Sequence, residues 1–252
     1  MKNLSAMLLG AALACAACGD DATTDAGGGS STAGEAAPEA IALVRGALFT
    51  ADLVKAQAYH DALASGGEEA AVAAGDIAHD TFLGTTLLGT PQGEFLAFDR
   101  WSSDAHMDAF YGDPGFQKAF AGLFLAPPPE FDTFLRAESF HGWGSLDAGD
   151  GAAPHYVIVV RGRFADEPSA MQAQHDGIAK GGESTAKGLG DVAHLIYVGR
   201  DDDREALLID VWTTSDNLAA FYSDPKFQQA VGGLFEAPPR VAVYASSDWH
   251  QW

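Results

Sequence analysis

The chain carries one unit twice, and that repeat limits the fold to what two copies of the unit can build together. Residues 94–128 (EFLAFDRWSSDAHMDAFYGDPGFQKAFAGLFLAPP) align without gaps on 205–239 (EALLIDVWTTSDNLAAFYSDPKFQQAVGGLFEAPP), and about half of the positions are identical. Upstream, HDALASGGEEAAVAAGDIAH (60–79) matches HDGIAKGGESTAKGLGDVAH (175–194), and Val44-Arg45-Gly46 matches Val160-Arg161-Gly162. Two copies of roughly 100 residues each therefore occupy 40–143 and 155–252, joined by a Gly/Asp/Ala/Pro linker at 144–154.

Periodicity gives an element order for each copy. A short apolar run (Ile41 to Leu48; Tyr156 to Phe164) reads as a strand. The next segment puts His60 on one stripe with Leu53, Ala56 and Leu63, at the spacings of three and four that define a helix face. Gly66-Gly67 and Gly181-Gly182 are expected to break that helix, before Gly75-Asp76 and Gly190-Asp191 open a second strand (Ile77 to Leu83; Val192 to Val198). A hairpin leads to a third strand (Glu94 to Trp101; Glu205 to Trp212). The following helix starts at Ser102-Ser103-Asp104 or Thr213-Thr214-Ser215. It is divided at Asp113-Pro114 or Asp224-Pro225, where proline cannot donate to the preceding turn. A last strand (Phe131 to Glu138; Val241 to Ser246) completes βαββαβ, the ferredoxin-like order, in which helices cover one face of an antiparallel sheet. Both faces of strand two are largely apolar (Val192, Ile196, Val198 against Ala193, Leu195, Tyr197), as expected if the bare sheet faces of the two copies close on each other.

The stretch Asp210-Val211-Trp212-Thr213-Thr214, followed by LAAFYSDPKFQQAVGGLF (218–235) and mirrored around Trp101, resembles the signature of antibiotic-biosynthesis-monooxygenase-like dimeric α+β barrels. The resemblance spans both repeats and implies an intrachain pseudodimer of α+β class, with a cleft between each sheet and its helices. That superfamily includes cofactor-free quinol oxygenases, haem-degrading enzymes and haem peroxidases, so it implies a fold more narrowly than an activity. Two departures weigh against carrying an activity over. Haem-degrading relatives use a histidine late in the second helix, where this chain has Gln117-Lys118-Ala119-Phe120 and Gln228-Gln229-Ala230-Val231. Cofactor-free oxygenases pair the strand-three Trp with an asparagine, and Asn217 is replaced by His106 in the first copy.

Three histidine pairs recur at matched positions: His60 with His175, His79 with His194, and His141 with His250. In an antiparallel hairpin, facing residues have a constant sum, so Val198 opposite Ala206 puts His194 opposite Asp210 and Val192 opposite Trp212. In the first copy, Leu83 opposite Phe95 puts His79 opposite Asp99 and Ile77 opposite Trp101. The first hairpin loop is four residues longer, an even number that leaves this pairing intact. With His60 and His175 on the inward helix stripe, the expected constellations are His60, His79, Asp99 and Trp101, and His175, His194, Asp210 and Trp212. A carboxylate across the strand would orient each imidazole and favour its charged form, as suits a general base; a buried hydrogen bond that fixes register is the alternative. The set lacks short His-x-His or His-x-x-x-His spacing, so no metal site is read from it, and no cofactor is required. Phe110, Phe116 and Phe120 read as core, and Trp143 and Trp252 as caps on the barrel halves.

The first residues carry an address. Lys2 precedes an apolar run from Leu4 to Ala17 that is too short to span a bilayer, and both cysteines, Cys15 and Cys18, end it. This resembles a bacterial lipoprotein signal over residues 1–18, with Cys18 as the acylated residue and Cys15 as the alternative; ordinary cleavage releasing a soluble protein is the competing reading. Residues 19–39, rich in Gly, Ser, Thr, Ala and Asp, have the composition of a flexible tether. The implied location is the bacterial cell envelope, lipid-anchored, on the periplasmic or outer-membrane face. No cysteine follows position 18, so the repeats are stabilised without disulfides.

A balance of 14 basic against 35 acidic residues, a net charge of −21, excludes a nucleic-acid backbone as partner. The sequence is read as a lipoprotein whose duplicated barrel binds a small apolar or aromatic ligand. Two alternatives stand beside that reading: a cofactor-free monooxygenase-like enzyme using the His-Asp-Trp cleft, and a noncatalytic envelope interaction module with filled clefts.

Overall fold

The structure, a computed structural model, describes residues 38–149 and 155–252. The signal segment with Cys15 and Cys18, the tether through residue 37 and linker residues 150–154 lie outside the described residues. Among the described residues, no helix is long and apolar enough to cross a membrane.

The first copy folds as β1 (Ala40–Ala47), α1 (Leu53–Ala74), β2 (Asp76–Gly84), β3 (Glu94–Trp101), α2 (Asp104–Tyr111), α3 (Pro114–Ala121) and β4 (Glu130–Arg136). The second repeats it as β5 (Tyr156–Arg163), α4 (Pro168–Leu189), β6 (Asp191–Gly199), β7 (Glu205–Trp212), α5 (Ser215–Tyr222), α6 (Pro225–Gly232) and β8 (Arg240–Ser246). Each copy alone would leave two sheet edges with unpaired N–H and C=O groups. Antiparallel pairing of β2 with β8 and of β4 with β6 removes those edges and closes one eight-stranded barrel, β1-β3-β2-β8-β5-β7-β6-β4. Because side chains alternate along a strand, Leu195 and Tyr197 of β6 enter the barrel, while Ile196 packs beneath the second copy's helices. The expected α+β pseudodimer with doubly buried strands is the observed architecture.

Three details depart from the sequence expectations or go beyond them. First, Gly66-Gly67 and Gly181-Gly182 do not break the first helix of either copy. The helices run unbroken for 22 residues and stop at Gly75 and Gly190, whose φ of 103° is the left-handed cap conformation that glycine adopts without strain. A Cβ at Gly66 would meet nothing within 4 Å. Gly66→Ala is therefore expected to raise stability by about 0.5–1 kcal/mol in urea unfolding; a loss there would argue for a functional kink.

Second, each β2-type strand carries a bulge. His79 faces Asp99 and His194 faces Asp210 as expected, but the register then shifts, so that Asp76 faces Trp101 and Asp191 faces Trp212. Ile77 and Val192, expected opposite those tryptophans, occupy the extra position, and Ile77 turns half-exposed to solvent. The bulge thereby directs an aspartate, in place of a β-branched apolar side chain, toward the helix-covered face.

Third, the copies exchange their C-terminal segments. Beyond β4, Phe140 and Trp143 join the core of the second copy, and the His141 N–H donates to Asp176 on α4 (2.7 Å). Beyond β8, Trp249 joins the core of the first copy, and the His250 N–H donates to Asp61 on α1 (2.8 Å). The His141 ring meets Glu183 and the His250 ring meets Glu68, each at 2.9 Å. Trp143 and Trp252 are caps as expected, but each covers the opposite half.

Candidate functional site

Between α1 and the sheet, five side chains of the first copy form one continuous chain. Asp61 Oδ1 bonds His60 Nδ1 (3.0 Å), His60 Nε2 meets His79 Nε2 (3.1 Å), His79 Nδ1 meets Asp99, and the Tyr111 hydroxyl donates to the other Asp99 oxygen. The second copy repeats it through Asp176, His175, His194, Asp210 and Tyr222, with 3.2 Å and 3.1 Å at the first two links. Helix position places His60 and His175 over the sheet, and the hairpin register places each histidine of β2 or β6 beside its aspartate.

The donors in this chain can be assigned by elimination. Asp61 accepts from Nδ1–H of His60, so His60 Nε2 is left as an acceptor and the proton between the rings belongs to His79. His79 gives its other N–H to Asp99 and is therefore an imidazolium. Its pKa is raised: burial opposes the charge, but the charge and hydrogen bond of Asp99, with Asp76 and Asp80, outweigh it. Burial holds His60 down to about 4, with the charge of His79 adding to the effect, so this ring is neutral. His175 is likewise held at about 4 by burial and by His194.

Asp76 and Asp191 are the groups that the register expectation missed. Burial pushes Asp76 up to about 8, and the charge of Asp99 adds to the shift. Asp191 rises to about 9 for the same reasons, with Asp210 as its neighbour. Each carboxyl sits beside a fully buried tryptophan of β3 or β7, Trp101 or Trp212. Oδ1 of Asp76 and the indole N–H groups of Trp101, Trp212, Trp143 and Trp252 are buried without a hydrogen-bond partner among the described residues. The Trp252 indole lies near enough to Asp76 to favour its ionised form without reaching hydrogen-bond geometry, and Trp143 does the same for Asp191. The exchanged caps close the sites: the Trp252 ring stacks on His79 at 4.6 Å and Trp143 lies on His194 at 4.8 Å.

These groups line two matching cavities of about 40 Å³ each. The first holds His60, His79, Asp99 and Trp101 with Asp76 and Trp252 in its wall; the second holds His175, His194, Asp210, Asp191 and Trp143. Trp212 packs in the same core and faces Asp191 across the strands but does not line the cavity, so the first copy brings all four expected residues to its cavity and the second brings His175, His194 and Asp210. Gly67 and Gly182 form part of the cavity walls, where side chains would take up space. About 40 Å³ admits two or three water-sized groups, well short of the roughly 150 Å³ that accepts a benzene ring.

Sequence signals for the missed groups existed. Gly75-Asp76 and Gly190-Asp191 recur in both copies, as do Tyr111 and Tyr222 within FYGDP and FYSDP, although those aromatic segments read as core. The rings do pack in the core, but the tyrosine hydroxyls end the polar chain. His106 and His155 take no part in it: His106 bonds Ser102 at 3.0 Å, and His155 lies edge-on to Phe82.

No family model matches the sequence, and no curated protein sequence matches it. Solved structures do match. An anthrone oxidase-like protein aligns over 85% of this chain and 93% of its own at 15% identity, with a TM-score of 0.59. A Lactobacillus acidophilus protein described as a monooxygenase covers 84% and 97% at 8% identity, TM-score 0.54. A mutant chlorite dismutase from Candidatus Nitrospira defluvii covers 84% and 92% at 10% identity, TM-score 0.50. The likeness at these identities is one of fold: the chain is a tandem α+β barrel of the kind shared by monooxygenase-like proteins and chlorite dismutase.

The two inner sites do not fit a haem. The four buried imidazoles of the two sites spend both ring nitrogens on each other and on carboxylates, and the cavities beside them are far too small for a porphyrin. Nor is there, among the described residues, a cluster suited to a metal ion.

Proposed function

We propose that this protein is a lipid-anchored component of the bacterial cell envelope whose duplicated barrel binds a small, largely apolar or aromatic ligand at its His-Asp-Trp clefts. The observation that carries this reading is that the indole N–H groups of Trp101, Trp143 and Trp252 and one Asp76 oxygen have no partner while lining cavities whose histidine and aspartate side chains are bonded mainly to one another. An unmet buried polar group costs about 1–3 kcal/mol, a cost that a ligand's hydroxyl or carbonyl relieves. The cavity takes that polar end only, so the ring body lies outside it.

The test compares 2-naphthol with naphthalene in calorimetric titration of the purified protein. The hydroxyl is expected to tighten binding by about tenfold, the worth of one hydrogen bond, and Trp143→Phe is expected to remove that advantage, with thermal unfolding confirming that the variant is folded. Equal affinity for the two probes, or no binding of either, would end the reading.

A second reading, proton-abstracting chemistry in the manner of a cofactor-free oxygenase, is favoured by one observation. A carboxyl poised near 8 ionises just above neutral pH, and in that form it can take a phenolic proton beside the charged ring of His79. Oxygen consumption with a hydroquinone, abolished in Asp76→Asn/Asp191→Asn, would support it; consumption equal to the buffer blank would count against it.

A further inference from the structure

We infer that the two halves of the barrel are not equivalent, and that a neutral aromatic ligand of two or three rings binds in the second half alone, in a groove that the first half has filled with phenylalanine. This rests on the ligand-binding reading above and says which half serves it and what decides the choice.

Beside the inner cavity of the second copy lies an open groove of about 560 Å³, within the range of small-molecule sites. Val160, Tyr222, Phe227 and Val231 line both the groove and the inner cavity, so the two spaces adjoin at these side chains. Tyr222 is the polar member of this shared wall: it lines the groove, and its hydroxyl is held by Asp210, at the end of the histidine chain. A ring body resting in the groove is therefore in contact with the residue that terminates the polar network.

The first copy has the same elements in the same order, one more proline before its last strand (Pro127-Pro128-Pro129 against Pro238-Pro239), and different side chains. Val231 corresponds to Phe120 by the gapless repeat alignment. Val241 corresponds to Phe131, because Val241 pairs with Val160 on β5 just as Phe131 pairs with the equivalent Val44 on β1. Phe131 meets Tyr111 edge-on at 4.7 Å, a ring contact that Val241 cannot make with Tyr222, and Phe120 stacks on Phe116 at 5.5 Å. Two valines open a space that two phenylalanines occupy.

The longer hairpin adds a wall. The four extra residues between β2 and β3 lie across β8, fixed by Thr85 N–H to the Val243 carbonyl (3.0 Å) and by the Val243 N–H to Thr90 (2.7 Å). They bring Leu88 to the groove, so an insertion in the first copy completes a site on the second. The hairpin between β6 and β7 lacks these residues.

The ligand class follows from the lining. Phe227, Phe235 and Pro238 offer flat apolar faces. The polar groups are already engaged: Glu236 pairs with Arg204, and Gln228 donates to the Tyr222 carbonyl at 2.9 Å. With no unspent charge at the rim, a charged ligand would lose hydration without compensation, and a neutral one would not.

Calorimetric titration with 2-naphthol gives the stoichiometry directly. The natural sequence is expected to bind one molecule per chain. Val231→Phe/Val241→Phe, which installs side chains that the first copy already carries in the same fold, is expected to weaken binding at least tenfold. Phe120→Val/Phe131→Val is expected to add a second, weaker site, because no equivalent of Leu88 closes it. Two equal sites in the natural sequence, undiminished binding in the Val→Phe pair, or no second site in the Phe→Val pair each overturns the asymmetry while leaving ligand binding standing. Absence of binding to the natural sequence overturns the ligand reading and this inference together.

Discussion

Replacing Asp76 and Asp191 together by asparagine is expected to stabilise the protein at pH 9 by an amount on the order of 2–4 kcal/mol, and to change it little at pH 4. The sign comes from the direction of the shifts. Both carboxyls have folded values, about 8 and about 9, far above the 3.8 of an exposed aspartate, because burial penalises the ionised form. The folded state therefore holds two protons that the unfolded chain has given up. The stability they contribute is fully present below pH 3.8, declines as pH rises, and is gone above the folded values. His60 and His175 act in the opposite sense. Held near 4 against 6.5 when exposed, they contribute stability that is present above pH 6.5 and is lost as pH falls through 4. The two trends oppose each other below pH 6.5, and only the decline from the aspartates, with a share from the raised His79, continues beyond it. Urea midpoints should fall between pH 7 and 9 for the natural protein, and fall much less for the double variant. A parallel fall in both would mean that these carboxyls ionise as freely as surface ones. A buried acid that weakens the fold at the pH where it can accept a proton is the pattern expected of a group kept for its chemistry.

How much of this was legible in sequence depends on which force fixes each feature. The barrel was readable because the repeat, the apolar strands and the proline-divided helix all follow local rules, and because one copy alone leaves sheet edges that only a partner can close. The His79–Asp99 and His194–Asp210 pairs were readable because hairpin register is arithmetic once one apolar pair is set. The bulge was not. Its extra residue falls at Ile77 and Val192, side chains that fit a regular strand well and that follow the left-handed Gly75 and Gly190 caps by two positions. That single-residue shift hid both high-pKa aspartates. The Gly66-Gly67 expectation failed for a related reason: glycine weakens a helix by about 1 kcal/mol without ending it, and the packed face of α1 more than offsets that cost. The exchange of Trp143 and Trp252 between halves was beyond local reading, since nothing in either segment states which copy it will cover.

Asp99→Ala is expected to cost about 3–5 kcal/mol, more than truncation of an ordinary cross-strand pair, because it strips a buried imidazolium of its counter-charge and leaves the Tyr111 hydroxyl without an acceptor. His79 cannot keep its charge in that variant. Asp99 is the chief support of its raised pKa, so without that carboxylate burial, opposed only by Asp76 and Asp80, lowers it. A neutral His79 has one N–H to give. It can still donate to His60 Nε2, but its Nδ1 is then a buried acceptor facing a cavity. The loss should therefore be partly recovered in His79→Leu/Asp99→Ala, where neither charge remains, and the double-mutant cycle should give a coupling of about 2–3 kcal/mol. The stability cycle alone does not distinguish a relay from a well-made core bond, whereas the ring protonation does. Nitrogen chemical shifts in the natural protein should show His79 protonated at both nitrogens and His60 at Nδ1 alone. In Asp99→Ala the His79 signal should move to the neutral form at pH 7, with His60 unchanged. A His79 already neutral in the natural protein would reverse the donor between the two rings, because the proton there would then have to come from neutral His60, which could not also satisfy Asp61.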